Sequence, residues 1–283
     1  MSSTPTIKLN NGIDVPALAF GTGTALYGKN CADSIKLAIQ SGFTHLDGAQ
    51  AYRNEEFLGE GVKASGKPRS ELYIVTKLKP GVKPTEVKAS LVESLRLFGL
   101  DFVDLFLIHT PPKDDTLQEL WQAMEGVHAD GLAKSIGVSN FMLDHLKTIM
   151  QTAKIVPAVN QIELHPYDWK DVEAVVKYGL ENGVVPASYG GLSSLFRAAG
   201  GPVDQALLPI TERLQKVSGK PVTSSQVLFK WLLHKGAIVV TTSSKEARIK
   251  EYLETALVPD LTVEEIQSID EAGAKQPQMF FKR

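Results

Sequence analysis

Residues Pro84–Pro111 read PTEVKASLVESLRLFGLDFVDLFLIHTP. In the first half, apolar side chains recur three and four residues apart, at Val87, Leu91, Leu95 and Phe98. That spacing describes one face of a helix. Gly99 follows directly, where helices commonly end, because glycine takes up the left-handed conformation without a steric penalty. The second half reads differently. Phe102–Ile108 is a short, nearly unbroken apolar run, the pattern of a strand buried on both faces. The polar residues His109 and Thr110 then interrupt it.

The same alternation extends in both directions. It predicts strands at Leu18–Phe20, Thr44–Leu46, Leu72–Thr76, Phe102–Ile108, Ser135–Val138, Ala158–Asn160, Val184–Ser188 and Ala237–Val240. Between them lie further amphipathic stretches, CADSIKLAIQSG (31–42), LQELWQAMEGVHADG (117–131) and DVEAVVKYGLENG (171–183). Strands separated by helices must run parallel, joined by right-handed crossovers. Eight of them in a chain of 283 residues suit a (β/α)8 barrel better than an open sheet. Ahead of the first barrel strand, Thr6–Leu9 and Ile13–Val15 flank Asn10-Asn11-Gly12. Asn-Gly supplies the positive φ angles of a tight turn, so an N-terminal β-hairpin is expected, placed to plug the bottom of the barrel. Two extra helices are expected at Gln205–Val217 and Val263–Ala272. No linker or charge block divides the chain, and residues 1–283 read as one α/β unit.

Composition narrows the function. Thirty Lys and Arg against 32 Asp and Glu give a net charge of −2, without the basic excess that nucleic-acid binding needs. No apolar run approaches the length of a membrane span, and the first dozen residues, MSSTPTIKLNNG, lack the features of a secretory signal. Cys31 is the single cysteine, which excludes an intramolecular disulfide and a multi-cysteine zinc site. A cytoplasmic enzyme without metal is the expectation, and a monomer is expected ahead of an oligomer, since no exposed apolar stripe stands out.

The residues that close each apolar run are Gly21-Thr22, Asp47, Lys77, His109, Ser139-Asn140, Gln161, Tyr189 and Thr241-Thr242-Ser243. In a parallel barrel the C-terminal strand ends converge on one face, and active sites form there. A lone polar strand end is commonly just solvated. A ring of them that includes an acid, a lysine and a histidine would shift one another's pKa values, as acid–base catalysis requires. No HExxH or comparable metal spacing occurs.

The segments around these residues carry a resemblance. FTHLDGAQAYRNEEFLGEG (43–61), IVTKL (74–78), VDLFLIHTP (103–111), GLAKSIGVSNF (131–141) and VNQIELHPY (159–167) resemble, in order, the aldo-keto reductase superfamily. GTGT at 21–24 and the strand-end IHTP are similar to its fungal ketoreductase branch, which includes conjugated polyketone reductases. The resemblance implies a (β/α)8 barrel that binds NADPH without a Rossmann domain, and a catalytic tetrad of Asp47, Tyr52, Lys77 and His109. It implies hydride delivery to a carbonyl carbon with Tyr52 as general acid, a phenol that needs help because its free pKa lies near 10. Lys77 would stabilise the phenolate, Asp47 would hold the ammonium, and His109 would orient the substrate oxygen. Taken singly, Tyr52 reads as a packing tyrosine and Lys77–Asp47 as a structural ion pair.

On the cofactor side the resemblance implies that Ser139, Asn140 and Gln161 bind the nicotinamide amide and that Tyr189 stacks on its ring. Gly190 and Gly191 replace the family's Ser-Pro, so pyrophosphate contacts would come from backbone amides, with Leu192, Ser193 and Ser194 nearby. Gly21, Thr22 and Gly23 would line the cofactor together with Asp47; Leu26 at the third glycine position rules out a GxGxxG fingerprint. The last strand and its loop, Val240-Thr241-Thr242-Ser243-Ser244-Lys245, carry threonine at 242 where the family has lysine. Arg248 and Glu251 are in place, so NADPH remains the expected cofactor, with Arg248 on its 2′-phosphate.

Gly23 and Thr110 stand where bulky aromatics are common, and the tail GAKQPQMFFKR (273–283) is short. An open pocket is expected, and the resemblance to the fungal ketoreductase branch implies aldehydes, α-keto esters or lactones, and diketones as its substrates. Phe196, Trp169, Met279, Phe280 and Phe281 are candidates either to line it or to pack, and Trp121, inside a helical pattern, to pack. Two other readings stand beside this one. One is a non-enzymatic NADPH-binding regulatory or scaffold protein of the same fold; the other is a barrel enzyme acting on phosphorylated metabolites.

Overall fold

The structure, a computed structural model, describes residues 5–281. Two short antiparallel strands come first, β1 (Thr6–Lys8) and β2 (Asp14–Pro16). Eight parallel strands follow: β3 (Leu18–Gly21), β4 (His45–Asp47), β5 (Tyr73–Leu78), β6 (Val103–Ile108), β7 (Ala133–Ser139), β8 (Val159–Glu163), β9 (Val185–Tyr189) and β10 (Ile238–Thr241). They pair in chain order and close when β10 pairs with β3, with Val239 opposite Leu18. The chain therefore folds as a (β/α)8 barrel with an N-terminal hairpin.

Helices α1 (Ala32–Ser41), α2 (Glu55–Ser65), α3 (Val87–Phe98), α4 (Leu117–Ala129), α5 (Leu143–Met150) and α6 (Trp169–Glu181) connect successive strands. After β9 come the five-residue α7 (Ser193–Arg197), then α8 (Pro202–Ser218) and α9 (Ser224–His234). After β10 come α10 (Glu246–Leu253) and α11 (Val263–Ala274). The two helices added to the basic repeat are α8 and α11, at the two places the sequence indicates. They pack on each other, and Arg213 of α8 is paired with Glu265 of α11. The short α7 has no periodic signature in the sequence. No helix among the described residues is long and apolar enough to cross a membrane.

Strand periodicity explains two separate cores. On β3, Leu18 and Phe20 face the helices while Ala19 faces the barrel interior; on β6, Phe106 and Ile108 face out while Leu105 and Leu107 face in. The interior core also takes Tyr73, Val75, Val159, Val185, Ala187 and Ile238. Gly137 is needed on β7 because a Cβ there would lie 2.5 Å from the Val159 carbonyl oxygen of the next strand. Trp121 is fully buried against the helix layer, and its indole N–H donates to the Ile155 carbonyl at 3.0 Å, so it packs as expected. Trp169 likewise packs edge-on to Trp231, with ring centroids 5.8 Å apart.

The hairpin closes the N-terminal end. Leu9 and Val15 are buried in the interior core. The Asn10 amide donates to the Val156 and Pro157 carbonyls, and Asn11 donates to the Ser135 hydroxyl at 2.9 Å. Val156 and Pro157 lie just before β8, and Ser135 lies near the start of β7. Strand ends agree with the sequence reading to within three residues. The largest difference is at β8, which runs on to Glu163 because its ladder with β9 continues to the pair Glu163–Tyr189.

If the hairpin is part of the core, Leu9→Ala should lower the unfolding free energy by about 2–4 kcal/mol. Urea denaturation followed by circular dichroism reads this directly. A loss well under 1 kcal/mol would show the hairpin to be a detachable cover.

Candidate active site

On six of the eight barrel strands the inward phase reaches a polar residue at the C-terminal end. Inward positions run Tyr73, Val75, Lys77 on β5; Leu105, Leu107, His109 on and after β6; and Val185, Ala187, Tyr189 on β9. The same two-residue step leads to Gly21, Asp47, Ser139, Gln161 and Val240 on the other strands. These residues converge on a cleft of about 490 Å³ at the C-terminal end of the barrel.

Beneath the floor lies an ion pair. The Lys77 ammonium donates to Asp47 Oδ1 at 2.6 Å and to the Gly48 carbonyl at 2.8 Å, with both side chains essentially inaccessible. Gln161 occupies the second oxygen, its amide donating to Asp47 Oδ2 at 2.8 Å. Burial by itself lowers the Lys77 pKa, but Asp47 and the nearby Tyr52 more than reverse this, and the ammonium is held in its charged form. The Lys77 nitrogen stands 5.1 Å from the centroid of the Tyr52 ring.

Tyr52 comes from the loop after β4, which folds back through a turn ending on Arg53 in the left-handed conformation (φ 56°). The Asn54 amide fastens that loop to the Thr22 and Leu26 carbonyls, both at 2.9 Å. Burial pushes the Tyr52 phenol above its ordinary value, while the charge and hydrogen bond of Lys77 pull it down; the net shift is upward. His109 meets Tyr52 edge-on with ring centroids 5.5 Å apart. Burial, reinforced by the Lys77 charge, pushes the imidazole down to about 4, so it is neutral near pH 7. Its Nδ1 is buried without a partner among the described residues. A Cβ on Gly23 would sit 3.1–3.3 Å from the tip of the Tyr52 ring, so the glycine leaves the phenol open to the cleft.

A second network forms the adjoining wall. Ser139 donates to the Gln161 carbonyl at 2.8 Å, Asn140 donates to the His109 carbonyl at 2.9 Å, and the Tyr189 hydroxyl donates to Asn140 Oδ1 at 2.7 Å. Asn140 is left-handed, with φ 63°. Beyond Tyr189, the cleft runs past Gly190, Gly191, Leu192 and Ser193 to Val240, Thr241, Thr242 and Arg248. A Cβ on Gly191 would collide with the Leu232 side chain.

Several residues expected at the cofactor lie off the cleft lining. Thr22 is fully buried and donates its hydroxyl to the Asp47 carbonyl at 3.1 Å. Ser194 is buried behind Ser193, its hydroxyl unpartnered among the described residues. Ser243, Ser244 and Lys245 form the exposed approach to α10, where the Lys245 amide donates to the Ser243 hydroxyl at 3.1 Å. Glu251 accepts from the Thr223 hydroxyl at 2.7 Å, fastening α10 to the start of α9. Of the aromatic candidates, Phe196 and Phe281 line the cleft. Phe280 packs on His165 with centroids 5.1 Å apart.

The sequence reading did not single out Thr24, Arg197, Phe229 or the buried Glu55 and Glu163. Arg197 sits in α7, where a lone arginine in a loop flanked by glycines was the only available signal. Glu55 accepts hydrogen bonds from Thr76 at 2.6 Å and Ser94 at 3.2 Å, partners 21 and 39 residues away that no local pattern reveals.

The polar residues of the lining, the buried Thr242 hydroxyl, unpartnered among the described residues, and the two guanidiniums of Arg197 and Arg248 suit a long polyanionic ligand with an aromatic end. Comparison with known proteins agrees in kind. The Aldo/keto reductase family profile matches residues 18–274. The chain is 40% identical over 253 residues to the NAD/NADP-dependent indole-3-acetaldehyde reductase of Schizosaccharomyces pombe, covering 86% of each chain. It is 32% identical to the NADPH-dependent alpha-keto amide reductase of Saccharomyces cerevisiae, covering 94% of this chain and 89% of the relative. Among solved structures, the Bombyx mori aldo-keto reductase in complex with NADP superposes with a TM-score of 0.84 at 29% identity, covering 96% of this chain and 93% of the other. The chain belongs to the aldo/keto reductase family, with fungal reductases among its relatives.

Proposed function

We propose that this chain reduces aldehydes and activated ketones, namely α-keto esters or lactones and diketones, to alcohols with NADPH, using Tyr52 as the proton donor. The observation that carries this reading is the buried Lys77–Asp47 pair set directly against Tyr52, with neutral His109 edge-on to the same ring. A surface ion pair would not serve, because water would screen the ammonium from the phenol. Reductases acting on aldehydes and keto amides among the relatives support the substrate class.

When bound, NADPH supplies a hydride to the carbonyl carbon. Tyr52 keeps its proton near neutral pH, because burial raises its pKa, and passes it to the carbonyl oxygen. Lys77, held charged by Asp47, then stabilises the phenolate left behind. Neutral His109 can donate one hydrogen bond to the same oxygen and so fixes its approach. Ser139, Asn140 and Gln161 would hold the nicotinamide amide, and Tyr189, steadied by Asn140, would present its ring to the nicotinamide. Backbone groups at Gly190–Ser193 face the cleft where the diphosphate would run, and Arg248, stacked over Phe196 at 5.3 Å, would take the 2′-phosphate. With Thr242 in place of a second cation, the discrimination between NADPH and NADH rests mainly on Arg248.

Three outcomes follow. Tyr52→Phe should cut turnover by at least about 100-fold, the lower range for loss of a general acid, while NADPH still quenches intrinsic fluorescence; an undiminished rate excludes the mechanism. Arg248→Ala should weaken NADPH binding by about 10-fold or more and leave NADH nearly unchanged, a charge-assisted contact contributing ~1.5–3 kcal/mol. Equal losses would place the 2′-phosphate elsewhere. The third concerns pH. Because His109 is pushed down to about 4, it is already neutral at pH 5 and gains no further charge change up to pH 9. The profile of kcat/KM for reduction should therefore lack an inflection near 6.5, and an inflection there that disappears in His109→Asn would refute the assignment.

A further inference from the structure

Glu163 ends β8 at the same level as Tyr189 on β9. Its carboxylate is completely buried, and among the described residues no lysine or arginine pairs with it. Such a group is tolerated only when hydrogen bonds satisfy both oxygens. One comes from His165 Nε2 at 2.9 Å, and the other two come from the C-terminal tail: the Phe280 amide donates at 2.6 Å and the Phe281 amide at 3.1 Å.

This clamp has a consequence at the cleft. It holds the Phe281 ring against Tyr189, with centroids 5.5 Å apart and planes at 84°. The Arg197 guanidinium lies 4.5 Å from the Phe281 centroid. Gly190, at φ 69°, makes room for the approach, since a Cβ there would stand 2.8 Å from the Phe281 ring. Tyr189 is thus held at two points, by Asn140 at its hydroxyl and by Phe281 at its ring.

Resting on the reading of this cleft as a nicotinamide site, we propose that Glu163 is a positioning residue: by clamping the Phe280 and Phe281 amides it braces Phe281 against Tyr189 and thereby retains the cofactor. Glu163 touches no reacting atom and acts only through the tail. Glu163→Gln is nearly isosteric but turns an amide donor toward one of the two tail N–H groups, so the clamp opens while the shape of the interior is kept.

The test uses the full chain with three variants, Glu163→Gln, Phe281→Ala and their combination, plus Phe281→Tyr as the conservative control. NADPH affinity is read by fluorescence quenching, and tail protection by hydrogen exchange of the peptide containing Gln278–Phe281 without cofactor. We expect Glu163→Gln and Phe281→Ala each to weaken NADPH by about 2- to 12-fold, the range an edge-to-face ring pair supports. The double variant should do no worse than the more severe single one, because both act through one contact. Phe281→Tyr should keep wild-type affinity, and exchange of the tail amides should accelerate in Glu163→Gln. Should that variant fail to fold, a chain ending at Met279 replaces it, with the same weakening expected. Unchanged affinity in Phe281→Ala, effects that multiply in the double variant, or a tail still protected in Glu163→Gln each overturn the proposal. Tighter binding in Phe281→Ala also overturns it, since Phe281 would then occupy the cofactor's place. A wild-type chain that binds no NADPH removes the underlying reading as well, so the two failures are told apart.

Discussion

The Lys77–Asp47 pair is the constraint on which the rest of the site depends. An ammonium with no solvent exposure is costly, and loss of either partner of such a buried pair typically costs about 3–5 kcal/mol. The barrel meets that cost by surrounding the pair with fixed acceptors and donors. Gly48 contributes its carbonyl to the lysine, and Gln161, reaching across from β8, contributes its amide to the aspartate. The pair is thereby tied to three strands, and Tyr52 and His109 are arranged over a charge that cannot relax into water.

The geometry that brings these groups together is the closed sheet. Because side chains alternate along a strand, the inward phase of every barrel strand is fixed once its apolar interior residues are packed. Val75 buried inside the barrel forces Lys77 inward, and Leu105 and Leu107 do the same for His109. The site is therefore the continuation of the interior core by one more layer, where the layer turns polar. At the opposite end the hairpin supplies Leu9 and Val15 to the same interior core, so the cleft opens at one end only.

The fold was legible for this reason. Helix periodicity in Val87–Phe98, glycine at helix ends and apolar runs of strand length are local properties, and they recur often enough to count eight units. The strand-end residues were legible too, since each directly follows its run. The roles attached to them came from resemblance to a family, and position in the sequence alone left Asp47 and Lys77 readable as a structural pair. Boundaries were less accurate: β8 extends to Glu163 because its partner β9 extends to Tyr189, a matter of pairing.

What the sequence by itself determined was the repeat, the hairpin turn at Asn11-Gly12 and the polar residues that follow the strands, because these depend on spacing over a few residues. What only the tertiary structure decided was which polar groups face the cleft. Thr22 and Glu251 look like neighbours of the site in sequence, yet their side chains are engaged by Asp47 and Thr223. Glu163, Arg197 and Phe281 are far apart in the sequence, yet they meet beside Tyr189. The reason is physical: burial and hydrogen-bond partnership join residues more than a hundred positions apart, as when Glu163 receives the Phe281 amide, and no local pattern encodes that distance.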